Sequence, residues 1–340
     1  MGDNTGRNPL EKPLTLEELR AVVKPFATPS NARGFFEVSI TLVLFFSSLL
    51  FAGYVKNYST LLALCLSIPS GLLLMRIFVL HHDCGHRSLF VAPWLNLWVG
   101  RLLALPALTP FDYWRRIHHR HHQNTGKLDA LRGDGEVWLY TVEEYATLGF
   151  WKKLQYRLYH FPPILFCVGP IYLFMLHYRF WWKAEESRDR RSMLAYNVAL
   201  FVAIACSLFF VTPEQLLVVY APAVAVAAIV GVWLFYIQHV FEQAYFAHDT
   251  GEHPYNRRDA FVRGSSFYKL PRLLDWVTAG IGYHSIHHVN PSVPSYRLRK
   301  CWEATKEFFD ETPCFTLRES FKQIGFGLWS TKEQKMVRFS

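Results

Sequence analysis

Histidine is the residue type that could do chemistry in this chain. Of its fifteen histidines, eight fall into three clusters. The first is His82-Asp83-Cys84-Gly85-His86, where i and i+4 spacing stacks two imidazoles one helical turn apart on one face. The second, His118-His119-Arg120-His121-His122, contains HxxHH as His118, His121 and His122, and the third repeats it as His284, His287 and His288. Positions i, i+3 and i+4 again share a face. His119 lies off it and reads as a surface or supporting residue, while His81 would need an i to i+5 match and is set aside likewise.

One HxxxH alone says little, because a histidine near a helix end more often caps the helix or takes a buried hydrogen bond. Three clusters together point to metal. Imidazole suits iron, zinc, copper or nickel, and a single tetrahedral zinc needs only four ligands. Eight candidates therefore imply two metals with higher coordination. His239, at the end of an apolar stretch and level with the clusters, is a ninth candidate. Glu242, one turn on, is expected to hold a ligand ring by its second nitrogen. Asp83 and Asp112 are candidates for the same task, or for capping a helix N-terminus. His160, His177, His248 and His253 share no face with a partner and read as interfacial or solvent-exposed. No catalytic side chain beyond the ligands is expected.

The elements that position these histidines are membrane helices. The chain is 51% hydrophobic, 16% aromatic and 19% charged, against about 25% charged in soluble domains. A span needs about 20 apolar residues, and four stretches qualify: 35–55, 59–80, 194–212 and 215–238. They form two hairpins, turned at Lys56-Asn57-Tyr58 and at Pro213-Glu214. Of the 36 Lys and Arg, only Lys56 lies in those turns, so by the positive-inside rule the turns face out and the polar remainder, both termini included, faces the cytoplasm. The net charge of +9 is explained by that asymmetry, and nucleic-acid binding is excluded. Segments 89–111 and 161–182 have both ends inside and read as interfacial or re-entrant, with Trp94, Trp98, Trp181 and Trp182 at headgroup level.

The expected fold is thus an all-α integral membrane protein, with four transmembrane helices, interfacial or re-entrant helices and a cytoplasmic histidine-rich cap. The division is an N-terminal cytoplasmic arm over 1–34 and a single membrane domain over 35–340. The six cysteines have no paired spacing and read as reduced thiols. No cleaved or lipidated leader is expected.

At this density of motifs the chain resembles the membrane fatty-acid desaturases, most of all the bacterial acyl-lipid group. The three boxes carry the resemblance. So do Trp114-Arg115-Arg116, the run from His122 to Asp129, Thr141 to Tyr145, Gln238-His239 to Tyr245-Phe246, Arg263-Gly264-Ser265-Ser266, and Gly282-Tyr283-His284 through Asn290-Pro291. The resemblance spans about residues 35–300. It implies a di-iron centre on the eight box histidines, His239 as the family's additional histidine, dioxygen as co-substrate, and formation of a double bond in a lipid-linked acyl chain in a bacterial inner membrane. Ser285 stands where relatives often carry another histidine, off the ligand face, and His248 to Asp259 departs from the group.

A methylene C–H has no acidic proton, so side-chain acid-base or nucleophilic chemistry cannot break it and a metal-bound oxidant is needed. The sequence has no haem-attachment or iron–sulfur spacing, so a separate ferredoxin or cytochrome must supply electrons. A basic face of Arg115, Arg116, Arg120, Arg297, Arg299 and Lys300 suits an acidic donor or, equally, anionic headgroups. The acyl chain is expected to enter an apolar tunnel from the bilayer, with Phe78, Trp233 and Tyr236 read as packing. The same scaffold could instead support hydroxylation, oxidative decarboxylation to a terminal alkene, or carotenoid ketolation. Outside that chemistry stand non-catalytic metal binding or metal transport, the latter disfavoured because no histidine lies mid-span, and zinc hydrolysis, disfavoured because HExxH is missing.

Overall fold

The computed structural model describes residues 13–130, 137–180 and 186–339. Three helices are long and apolar enough to cross a bilayer: α2 (Asn31–Lys56), α3 (Thr60–His86) and α8 (Pro213–His239), preceded in the chain by α1 (Leu16–Val23). Ser30 and Ser59 cap α2 and α3 by accepting the Arg33 and Leu62 amides. At 27 residues, α3 is about 40 Å long, longer than a bilayer core of about 30 Å. The first histidine box is therefore the last turns of the span helix itself and not a segment following it.

α3 is the centre of the membrane part, with α2, α4 (Pro93–Ala104) and α8 packed around it. Close approach is built in at Gly71, where a Cβ would lie 2.6 Å from the Ala223 carbonyl on α8. The twelve residues of α4 reach only about 18 Å, so 89–111 does not cross, as expected; Trp94 and Trp98 are exposed on it. Segment 161–182 is likewise no straight span: Phe150–His160 (α6) and Ile164–Arg179 are bent by 63° at a short break. Trp181 and Trp182 lie outside the described residues.

The fourth expected span is helix α7 (Ser187–Ser207). It starts seven residues earlier than the sequence suggested and carries Arg188, Arg190 and Arg191, so its composition is less apolar than that of the other three. It is therefore not among the helices apolar enough to cross by length and composition, the possible fourth being the bent pair Phe150–His160 and Ile164–Arg179, although Leu194, Val198, Phe201, Val202 and Ile204 are exposed along it. The two hairpin turns meet: Lys56 pairs with Glu214 at 2.5 Å, and Gln215 donates to the Gly53 carbonyl at 3.2 Å. All six cysteines are free.

The cap is built from α5 (Phe111–Asn124), α9 (Arg257–Val262), α10 (Arg272–Val277), α11 (His284–Val289) and α12 (Ser295–Thr305). Mostly helical as expected, it also contains short strands that an all-α reading omits. β1 (Tyr140–Thr141) runs parallel to β4 (Phe326–Ser330), which pairs antiparallel with β5 (Lys335–Arg338). β2 (Phe267–Lys269) runs parallel to β3 (Cys314–Thr316). Strands of two to five residues are too short for alternation to announce them.

The N-terminal arm is part of this cap over its described length. α1 buries Leu19 and Val23 in one cluster with Ile286 and Val289 of α11, and Arg20 Nε donates to the Val289 carbonyl at 3.2 Å. Between cap and membrane, Arg76 of α3 is buried in a polar knot. It pairs with Glu37, donates to Thr41 Oγ1 at 3.0 Å and to the Trp276 carbonyl, and lies 4.1 Å from the Trp276 ring centroid. A charge taken out of water persists only when so satisfied.

Candidate metal centre

Three helix ends and one helix middle converge beneath the cap. α3 delivers His82 and His86, α5 delivers His118, His121 and His122, α8 ends at His239, and α11 carries His284, His287 and His288. The fit of α5 against α3 depends on small residues. Gly100 of α4 leaves space for the Phe111 ring, and Gly85 faces Trp114. Trp114 then lies flat on His118, centroids 4.7 Å apart and planes 10° apart.

The nine rings form two groups. His82, His86, His118, His122 and His287 are one; His121, His239, His284 and His288 are the other, and within each the nearest ring nitrogens lie within 4.8 Å of one another. In the four-histidine group, His239 Nε2 lies 3.2 Å from His121 Nε2 and 2.9 Å from His284 Nε2, which in turn is 3.0 Å from His288 Nε2. In the other, His122 Nε2 faces His118 Nε2 and His287 Nε2, each at 3.1 Å.

Ordinary hydrogen bonding does not account for this. A ring nitrogen has one in-plane direction, used either to donate or to accept, yet His122, His239 and His284 each face two partners. Nitrogens about 2.1 Å from a common ion and at right angles are roughly 3.0 Å apart, the separation found here. Either group has the donors and spacing to hold a metal ion.

Burial supplies the required protonation state. His121 is pushed down to about 3, by burial first and by the neighbouring His82 second. His118, His122, His284, His287 and His288 are held well below the usual imidazole range for the same first reason. Neutral imidazole is the ligating form.

The supporting residues differ from those the sequence suggested. Glu242 does not hold a ligand ring. α8 stops at His239 and Val240 is extended, at φ −120° and ψ 98°, so the helical phase that would bring Glu242 round to the His239 face is lost. Its half-exposed carboxylate faces Lys335 instead. His239 Nδ1 has the Gly264 carbonyl at 3.3 Å, a partner that leaves no trace in side-chain spacing. Asp112 pairs with Arg101 at 3.0 Å rather than with a histidine. Asp83 accepts the Ser295 amide at 2.7 Å, tying the end of α3 to the start of α12, and sits 3.4 Å from His82 Nδ1 without a hydrogen bond.

His119 is exposed, with its Nε2 3.3 Å from the Gly85 carbonyl. His81 is fully buried between Phe78, Phe111 and Trp114, away from both groups. His160, expected at the surface, is buried against Tyr156 and Phe339. The residues that sequence reasoning missed are ring supports: Trp114 under His118, Phe235 against His121 and His239, and Phe261 against His288. For two of them the signal was present, since Trp114–His118 and Phe235–His239 are both i, i+4 pairs.

An apolar crevice formed by Val137, Leu139, Phe235 and Phe246 reaches His121 and His239. On the membrane side a second runs between α3 and α8, past Met75, Phe78 and Gly231. Phe78 thus lines a crevice wall besides packing. Trp233 and Tyr236 are packing residues, hydrogen-bonded to the Tyr268 hydroxyl and the Phe326 carbonyl.

The model of the family described as fatty acid desaturase matches residues 59–318, which contain all nine histidines. The chain belongs to the fatty acid desaturase family. It is 37% identical over 324 residues to the protein named fatty acid desaturase in Bacillus subtilis, an overlap of 95% of this chain and 90% of that one. It is 30% identical over 318 residues to the sn-1 acyl-lipid omega-3 desaturase (ferredoxin) of Synechocystis sp., covering 88% and 83% of the two. It is also 30% identical over 253 residues to the sn-1 oleoyl-lipid 12-desaturase of Picosynechococcus sp., covering 71% and 68%. This desaturase-family chain is an oxidoreductase with membrane-spanning helices and two histidine clusters of metal-binding type.

Proposed function

We propose that the protein introduces a double bond into a lipid-linked fatty acyl chain, using dioxygen and two irons held by the five- and four-histidine groups. The observation that carries this is the division of nine imidazoles into two compact sets, which is more ligation than one zinc takes. When bound, ferrous iron supplies the electrons and oxidising power that no side chain has. The balance is fixed. Dioxygen takes four electrons and four protons to become two waters; two hydrogens leave neighbouring acyl carbons, and a donor protein supplies two electrons while two protons come from water.

The protein's own groups keep the rings neutral and fixed. Trp114, Phe235 and the Gly264 carbonyl hold His118, His121 and His239 in orientation. Val137, Leu139 and Phe246 keep water from the side where an acyl chain approaches. The donor is a separate ferredoxin or cytochrome, in keeping with the ferredoxin in the name of the Synechocystis relative. Its docking face is narrower than the sequence suggested, because Arg116 pairs with Asp189 and Arg299 with Asp275 and Glu303. Arg115, Arg120, Arg297 and Lys300 are what is left of it.

The chain lies in a bacterial inner membrane with both termini and the histidine centre cytoplasmic. In support, α1 and β5 are on the cap side, and the Lys56–Glu214 contact is at the other end of the hairpins. The test is expression in a host lacking the activity, with gas chromatography and mass spectrometry of total lipids, for the intact protein and for His121→Ala. New unsaturated chains with the intact protein alone are expected. Hydroxylated lipid or a terminal alkene in their place would overturn the reaction, and full activity of His121→Ala would overturn the ligand set.

A further inference from the structure

A recess of about 350 Å³ opens on the cap away from the histidine groups, within the size range of small-ligand sites. Its floor is aromatic. Phe267 stacks on Tyr283 at 4.8 Å and 15°, and Trp302 lies 4.4 Å from Phe267. Its rim is basic, with Lys269 at the end of β2, Arg272 at the start of α10, and Lys306 just after α12. The two carboxylates in the recess, Asp275 and Glu303, are both engaged by Arg299, at 3.8 and 3.0 Å. Lys269, Arg272 and Lys306 are exposed and, among the described residues, form no ion pair. The four cations of the lining, Lys269, Arg272, Arg299 and Lys306, outnumber its two carboxylates, and a net positive rim over an aromatic floor suits a phosphate-bearing ligand with an apolar body.

The position of the recess says where that ligand comes from. Arg76 lies six residues before His82 on α3, about 9 Å deeper along the helix axis. Because Arg76 holds the Trp276 carbonyl, the C-terminal end of α10 is drawn down to that depth, at the membrane surface. Leu273 on the same helix is 72% exposed, which is costly in water and favourable in lipid. Arg272 and Asp275 of α10 line the recess, so it opens at headgroup level. On the inner side, Tyr283 of its floor directly precedes His284.

We propose that this recess seats the phosphate of a membrane glycerophospholipid, with Lys269, Arg272 and Lys306 as the recognising cations. This rests on the lipid-substrate reading above and makes it specific: the preferred acyl carrier is an anionic phospholipid, its phosphate seated on the cap beside Tyr283, the chain neighbour of His284. Basic pockets on the cytoplasmic side of membrane helices recognise headgroups in this way.

The test uses the full-length, metal-loaded protein in detergent after delipidation. Native mass spectrometry would follow binding of phosphatidylglycerol and of a neutral glycosyl diacylglycerol with the same acyl chains. Intact protein is expected to bind phosphatidylglycerol at least tenfold tighter than the neutral lipid. The variant K269Q/R272Q/K306Q, altered only at exposed positions, is expected to lose that preference, and K322Q/K332Q to keep it. Equal binding by intact protein and the triple variant overturns the proposal. Competition by inorganic phosphate as strong as by the lipid overturns the lipid as source and leaves a free-phosphate site. Product analysis on the same samples separates the two readings. Lipid preference without any oxidised product defeats the desaturase reading and not this one; oxidation of both lipids at equal KM, in intact protein and triple variant alike, does the reverse.

Discussion

The two histidine groups are built from the same chain segments yet differ in surroundings. His82, His86, His118, His122 and His287 include three residues that are not fully buried, His86, His118 and His122, whereas His121, His239, His284 and His288 are all buried. The larger group is backed by Trp114 and by exposed His119, on the side toward water. The smaller one adjoins the crevice of Val137, Leu139, Phe235 and Phe246. Were each metal to take six ligands, four histidines would leave two positions open and five would leave one. The difference points to unlike tasks on the proposed reading: the buried group with fewer histidines would meet oxygen and the acyl chain, and the more fully ligated one, nearer the surface, would anchor the pair and receive electrons.

The sharpest way to break this comparison is to remove one ligand from each side. His284→Ala leaves three histidines, and metal content by inductively coupled plasma mass spectrometry should fall from two toward one per chain, with product formation at background. His86→Ala leaves four, so metal should be largely kept and activity reduced roughly 10–100-fold, the scale of weakened ligand support. Equal losses of metal in both variants would remove the distinction.

Next in size is the response to acid. Rings with folded pKa values pushed below the ordinary value of about 6.5, such as His121 at about 3, take up fewer protons folded than unfolded. Stability is therefore complete above about pH 6.5 and declines as pH falls from there toward 3. Melting of the metal-free protein in detergent should show Tm level from pH 8 to 7 and falling below 6.5; a Tm that rises on acidification would mean the rings are charged in the fold.

Leu139→Trp narrows the crevice next to the four-histidine group, at about 1–3 kcal/mol of overpacking. Turnover should drop severalfold with both metals retained, and unchanged turnover would place the acyl route elsewhere. Smallest of all, Glu242→Gln should leave activity within twofold and stability within about 0.5 kcal/mol, measured by product yield and Tm. A strong loss there would restore Glu242 as a ring support.

The histidines were legible because helical spacing of ligands is a local property. Their division between two groups was not. His121 and His122, like His287 and His288, are neighbours in the chain but point about 100° apart around a helix, and so each pair serves both groups. The boxes seen in sequence are thus not the metal sites seen in space. Spans were legible from hydropathy, though helix ends were not: α3 runs on through its box, and α7 begins among arginines. Glu242 was misplaced because nothing in the sequence marks the stop after His239. The role of α1 was hidden because its partner, Val289, is 269 residues from Arg20.

That last distance constrains how the molecule is made. The earliest described helix to leave the ribosome has its docking surface on α11, most of a chain length later, and α11 also completes both histidine groups. Through most of synthesis α1 must remain undocked, and both hairpins must be inserted before its site exists. Contacts so far apart in sequence form slowly, so docking of α1 and completion of both histidine groups wait alike until α11 has been made. A chain halted before residue 284 would hold its membrane helices and neither complete histidine group, which makes metal content a gauge of finished assembly.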